Sequence, residues 1–134
     1  IIKKQIIQKI PHCKFPNLIH PSAQLMSRTI ELASGTVLTA GTILTCDIKL
    51  GHFVLVNLNT TIGHDTYVGD YSSIMCGVNI AGGVTLGACS FVGSGTNIIN
   101  KVKIGKNVKV GAGAVVITNI EDDKIAVGVP AKTK

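Results

Sequence analysis

His64 is followed at once by Asp65, in the stretch TIGHDTYVG (61–69). A carboxylate beside an imidazole can hold one ring nitrogen and raise the basicity of the other, which is how a general base is built. A solvated surface histidine next to a turn aspartate fits the dipeptide equally well. The other histidines are His12, His20 and His52. A zinc site needs three or four converging ligands. His52 and His64 supply at most two, and no third partner is evident, so no metal site is expected. The four cysteines, Cys13, Cys46, Cys76 and Cys89, show no C-x-x-C spacing and read as reduced thiols of a cytosolic protein.

The elements that must carry these residues follow from a period. From Met26 to Val116 every sixth residue is aliphatic, sixteen positions without a break. The residue two before each is mostly small or β-branched, as at Thr36, Thr60, Ser72, Val84 and Thr96. The residue after is often glycine, as at Gly51, Gly63, Gly69, Gly87, Gly93, Gly105 and Gly111. A helix needs a period of about 3.6 and a half-buried strand a period of 2. Six fits a short strand, a bend and another short strand. Three such units close a triangular coil of 18 residues, and successive coils pair like parallel strands about 4.8 Å apart. The expected fold is all-β, a parallel β-helix of about five coils. The aliphatic positions face inward, and the glycines sit at bends where positive φ is tolerated.

On an 18-residue coil, Gly82 lies one coil above His64 on the same edge. It would expose a backbone N–H and leave room for a substrate carbonyl, an oxyanion-type arrangement. Asn57, seven residues before His64, is a polar residue directly after an inward valine. A base, an N–H donor and an amide on one edge would suit acyl transfer. By the same count His52 and His64 belong on different edges.

The chain of 134 residues is read as one domain. Residues 1–25 form a short amphipathic helix, with Ile2, Ile6 and Ile10 set to pack on the first coil, and an extended lead-in, FPNLIHPSA (15–23). Residues 26–121 form the β-helix. Residues 122–134 form a tail in which Pro130 interrupts regular structure. Thirteen basic against seven acidic residues give a net charge of +6, which favours phosphate-bearing partners. Nucleic acid fits less well, because aromatic stacking residues are scarce and no nucleic-acid motif appears. No apolar run of membrane-spanning length and no signal peptide are present, and the first residue is not Met, as in a piece of a longer protein.

The lead-in, the Asn57…His64-Asp65 spacing, the hexads and the closing GVPAK (128–132) resemble the hexapeptide-repeat acetyltransferases, in the group of sialic-acid O-acetyltransferases and bacillosamine-type amino-sugar N-acetyltransferases. The resemblance implies a left-handed β-helix, a hand opposite to ordinary parallel crossovers. It implies a cytoplasmic homotrimer with active sites between subunits, acetyl-CoA as co-substrate, no metal, and a sugar or nucleotide-sugar acceptor, with neither nucleic acid nor membrane as partner. It gives His64 as the base, Asp65 as its partner, Asn57 as an active-site amide and Gly82 as an acetyl contact. Ser73, where some members carry a second histidine, and Ser94, Asn100 and Ala112 along the coils are implied cofactor contacts. Lys101, Lys103, Lys106 and Lys109 are candidates for the CoA phosphates. The family usually carries a preceding Rossmann-like domain, and that domain is expected to have been removed here. A γ-type carbonic anhydrase and a non-catalytic trimeric scaffold are the rival readings.

Overall fold

The computed structural model describes residues 2–134 as a triangular prism of two-residue strands with one short helix, Ile2–Gln8, at its start. The first face stacks Leu18–Ile19, Val37–Leu38, Leu55–Val56, Ser73–Ile74, Phe91–Val92 and Lys109–Val110, then Ile125–Val127. The second face stacks Gln24–Leu25, Ile43–Leu44, Thr61–Ile62, Asn79–Ile80, Asn97–Ile98 and Val115–Val116. The third stacks Glu31–Leu32, Lys49–Leu50, Tyr67–Val68, Thr85–Leu86 and Lys103–Ile104. All pairings between these strands are parallel, and from Leu32 to Val116 partners stand 18 residues apart, as Leu32 with Leu50 and Ile62 with Ile80, whereas Val110 meets Ala126 only 16 residues on.

The period explains the core. The second residue of each strand points inward, so Leu44, Val56, Ile62, Ile74, Leu86 and Val92 are fully buried. The residue two before it fills the corner. Where that residue is Thr or Ser, the hydroxyl stabilises the turn by donating to a carbonyl. Thr42 Oγ1 bonds Thr39 O at 2.7 Å and Thr96 Oγ1 bonds Gly93 O at 2.7 Å. Ser72 and Ser90 each donate to a carbonyl above and accept a backbone N–H, linking three coils. A narrow interior therefore holds hydroxyls at little cost, since buried polar groups with partners carry no desolvation debt.

The glycines after the inward residues are not at positive φ. Positive φ falls two residues later, in an unbroken series at every sixth residue from Gly35 to Gly113 that includes Asp47, Phe53, Asn59, Asp65, Tyr71 and Lys101. The glycines serve close approach instead. A Cβ on Gly63 would stand 2.6 Å from Gly82 N, and one on Gly87 would stand 2.5 Å from Gly105 C. Neither contact is tolerable for a real side chain.

Both ends depart from the sequence expectation, and the prism has about six turns rather than five. The lead-in itself forms the first coil, through Leu18–Ile19 and Gln24–Leu25. Leu25 pairs with Leu44, nineteen residues on, so this coil runs one residue out of step and Met26 is 67% exposed rather than inward. At the other end Ile120 bridges to Ile104, and Ile125–Val127 extends the first face. Lys132–Thr133 then returns antiparallel against it, so Pro130 sits in the turn of a terminal hairpin rather than in an irregular tail.

The helix also differs. Ile2 and Ile6 are 72% and 54% exposed, while Lys3 and Ile7 are half-buried. The helix lies along the edge between the third and first faces, not on the first coil. Lys3 Nζ anchors it by donating to Phe53 O at 2.9 Å, Ser72 O at 3.3 Å and Ser73 Oγ at 3.1 Å. Burial pulls the Lys3 ammonium below its ordinary range.

Candidate active site

Three edges join the faces, and each carries a different chemistry. On the edge between the second and third faces lie Cys46, His64, Gly82 and Asn100, one per coil. His64 Nδ1 stands 2.7 Å from Asp65 Oδ2. A carboxylate can only accept, so Nδ1 carries the hydrogen and the Nε2 lone pair is free. Asp65 reaches the ring because it occupies the positive-φ corner position, φ 56°, which short polar side chains tolerate. Both side chains are about two-thirds exposed.

The ring is laid upward against Gly82. A Cβ there would stand 2.6 Å from His64 Cε1 and 2.8 Å from Cδ2, and closer still to Nε2. The room made by Gly82 is therefore filled by the imidazole itself. Gly83 N donates to His64 O at 2.7 Å and Lys101 N to Gly82 O at 3.0 Å, fixing both backbones. The Gly82 N–H makes no hydrogen bond to another described residue. A free lone pair and a free N–H thus stand side by side on an open edge, the two groups needed to take a proton and hold an oxyanion.

Asn57, Ser94 and Ala112 stand on another edge, between the first and second faces, so one chain does not bring Asn57 to His64. Asn57 Oδ1 accepts from Leu58 N at 2.9 Å and lies 3.5 Å from Thr39 Oγ1. Ser94 and Ala112 are exposed, one coil apart, with Ser94 O accepting from Gly113 N at 2.8 Å. Ser73 lies on the first face under Lys3. Asn100 is exposed at the top of the His64 edge and lines a shallow cleft with Ala81, Asn97 and Ile99.

The four late lysines do not form one patch. Lys101 stands on the His64 edge, Lys103 on the third face, Lys106 on the helix-covered edge and Lys109 on the first face. His52 is on that covered edge, its Nδ1 2.9 Å from Ser34 Oγ. His20 pairs with Ser22 in the first coil. Among the described residues no three His, Cys, Asp or Glu side chains gather as metal ligands. What the sequence reading passed over is a ladder on the second face, where Thr61 Oγ1 donates to Asn79 Oδ1 at 2.8 Å and Asn79 Nδ2 to Asn97 Oδ1 at 3.0 Å. Stacking the sequence in eighteens places these three residues in one column.

No family model matches the chain, and no curated protein does. Solved structures match over nearly its whole length. The perosamine N-acetyltransferase of Caulobacter crescentus, solved with CoA and GDP-perosamine, superposes with a TM-score of 0.95 at 32% identity over 99% of this chain. The two share one β-helical fold. The acetyltransferase domain of PglB from Neisseria gonorrhoeae, solved with acetyl coenzyme A, gives 0.95 at 30% identity, again over 99% of this chain. The UDP-N-acetylglucosamine O-acyltransferase of Moraxella catarrhalis, at 20% identity and a TM-score of 0.83, shares the fold alone. The chain spans 64% and 65% of the lengths of the first two. The parallel β-helix expected from the hexads, whose left hand the resemblance implied, is the fold shared with these neighbours.

Proposed function

We propose that this chain is the transferring domain of an acetyl-CoA-dependent acetyltransferase that acts on an amine or hydroxyl of a sugar, the acceptor being nucleotide-linked. The observation that carries this reading is the His64 imidazole, oriented by Asp65 and laid beside the free N–H of Gly82. His64 Nε2 takes the proton from the acceptor nitrogen or oxygen as that atom attacks the thioester carbonyl carbon. The Gly82 N–H holds the oxyanion. The C–S bond then breaks, and the imidazolium returns its proton so that CoA leaves as the thiol. Asp65 keeps the ring in the tautomer that makes this possible.

The CoA arm runs past Ser94 and Ala112, with Asn57 as an active-site amide, and these belong to the edge of a neighbouring copy in a homotrimer. Ser73 and Asn100 complete the proposed cofactor contacts, and lysines of the late coils meet the phosphates. The free cysteines fit a cytoplasmic location. No helix of the described residues is long and apolar enough to cross a membrane.

Mass-spectrometric detection of a 42 Da gain, about one acetyl group, on amino- and hydroxy-sugar nucleotides tests the activity. Ala112→Tyr tests the path of the arm: an exposed alanine becomes a bulky side chain without touching the core. Acetyl-CoA affinity is expected to fall at least about tenfold, on the order of 1.4 kcal/mol. Unchanged affinity places the arm elsewhere.

A further inference from the structure

The edge that carries His64 has a lower half that the reaction proposed above does not use. Arg28, Cys46, His64, Gly82 and Asn100 follow one another along it, one per coil. The register holds down to Arg28, because Thr29 Oγ1 accepts from Asp47 N at 2.9 Å and Glu31 pairs with Lys49. Arg28 therefore stands two coils, about 10 Å, below the base. It is the only arginine of the chain, every other basic side chain except the histidines being lysine. The side chain is exposed and makes no ion pair with a described residue. Two nearby acids are already engaged, Glu31 by Lys49 at 3.1 Å and Asp65 by His64 at 2.7 Å.

We infer that Arg28 is a specificity residue, which takes the phosphate on the anomeric carbon of the acceptor sugar. This rests on the reading above that His64 is the base and that the CoA arm passes Ser94 and Ala112. Ser94 is level with Asn100, two coils above His64, and Ala112 lies one coil higher again. An arm that descends past these coils delivers its thioester at the level of Gly82, so CoA fills the edge above the base. The acceptor then approaches from below, over Cys46, whose half-buried side chain is small enough to leave the way open. A pyranose ring whose nucleophilic atom sits at His64 Nε2 turns its anomeric substituent away from the base, down the edge. Arg28 is what that substituent meets. A planar guanidinium offers two parallel N–H donors to two phosphate oxygens, which an ammonium cannot do. The acids on this edge fix the level. Asp65 stands beside the base and Asp47 one coil below it, both at corner positions. A phosphate is repelled at those two levels and held where Arg28 stands.

A single arginine gives a single Nε–H resonance, so nitrogen–proton correlation spectra of the labelled chain read this side chain directly. Titration with GDP, the probe, is expected to move that resonance, and titration with guanosine is not. A resonance that GDP leaves in place, or that CoA moves further than GDP does, overturns the assignment. Kinetics supply the second arm, with the acceptor found by the mass-spectrometric screen and saturating acetyl-CoA. Arg28→Ala is expected to raise KM for the nucleotide-linked sugar about tenfold, the low end for a hydrogen bond to a charged group. The loss falls on KM rather than kcat, because the contact is made equally in the ground and transition states. Arg28→Lys should recover part of it. KM for the same sugar without phosphate, and KM for acetyl-CoA, are expected to stay as in the parent. Lys49→Ala, which removes a positive charge from the neighbouring third face, is expected to change none of these constants. An equal rise with the phosphate-free sugar, a rise confined to acetyl-CoA, or the same rise in Lys49→Ala overturns the role of Arg28. The two readings fail separately: a parent that transfers acetyl while Arg28→Ala matches it sinks Arg28 alone, and a parent that acetylates no sugar sinks both.

Discussion

His52 and His64 occupy the same place in the hexad, two residues after an inward aliphatic side chain, and the structure gives them different surroundings. His52 stands on the edge that the helix covers. Its ring meets Ser34 one coil below, its backbone N–H donates to Asp70 Oδ1 at 2.8 Å, and its neighbour Phe53 stacks on Tyr71 with centroids 5.4 Å apart and meets Phe15 edge-on at 5.0 Å. His64 stands on a bare edge, with a carboxylate on Nδ1 and glycine above. The corner residue that follows decides the matter. At the same positive-φ position Phe53 builds an aromatic stack that seats the helix, while Asp65 folds back on the imidazole. The residue one coil up completes it: Asp70 caps the backbone of His52, whereas Gly82 leaves the N–H that an oxyanion needs. One backbone template therefore supports a structural edge and a reactive edge, and two side chains per coil separate them.

The sharpest break of this comparison is to remove each imidazole in turn. His64→Ala is expected to lower kcat by about 10²–10⁴, the range for losing positioned proton transfer. Both variants should fold, since neither ring contributes core volume. His52→Ala is expected to keep kcat, because its ring hydrogen-bonds Ser34 and lies beside Phe53, on an edge away from His64. Initial rates with a verified acceptor and saturating acetyl-CoA decide. Equal losses from both variants dissolve the distinction between the edges, and a loss confined to His52→Ala reverses it.

The next measurement sharpens the role of the glycine. Gly82→Ala puts a methyl 2.6–2.8 Å from two carbons of the His64 ring, so the ring must swing off Gly82. Gly82 is not at positive φ, so the backbone accepts alanine and the strain falls on the side chain. A misplacement on the order of 1 Å can cost about 10²-fold, and kcat is expected to fall by about 10–10² while the fold persists. The His64 Cε1–H resonance should shift with it. Activity and resonance both unchanged would show that the ring already stands clear of Gly82 in solution.

Much of this was legible in the sequence because the period is enforced by packing. Each inward residue is held between coils above and below, so one slip would expose the whole column, and Leu38 to Val116 could be placed by counting. The end coils could not. Among the described residues no strand pairs below the first coil, so an extra residue before Leu32 costs little, and Met26 reads as one more stop although it faces solvent. Pro130 read as a breaker because a turn between short antiparallel strands leaves no trace in a six-residue count. The pair His64–Asp65 was legible because adjacent residues need no fold to meet. Gly82 was found by adding eighteen, although its space proved to be taken by the imidazole. Asn57 was misplaced, since seven residues carry the chain past a corner to the next edge. The helix face was misread because Ile2 and Ile6 suggest a buried stripe, yet Lys3 finds three oxygens at the edge.

The smallest expected effect concerns Cys46, one coil below His64 on the bare edge. Partial burial, and after it the carboxylates of Asp47 and Asp65, push the Cys46 thiol above its usual range. A thiol held protonated is a slow nucleophile, because the thiolate is the reacting species. Iodoacetamide should therefore modify exposed Cys13 before Cys46, as peptide mapping after timed quenching can show. Asp65→Asn removes one of the two negative charges while keeping a short polar side chain that tolerates the corner backbone. Alkylation of Cys46 is expected to quicken by a small factor, about two- to threefold, because an exposed charge is largely screened by solvent. The same variant should lower acetyl transfer by roughly tenfold, since the ring loses its carboxylate partner but not its position over Gly82. The two readouts move in opposite directions from one substitution. If alkylation is unchanged while transfer falls, Asp65 acts on the imidazole alone and its field does not reach the coil below; if neither moves, the Asp65 carboxylate is solvated in solution and the bare edge loses the feature that separates it from the edge of His52.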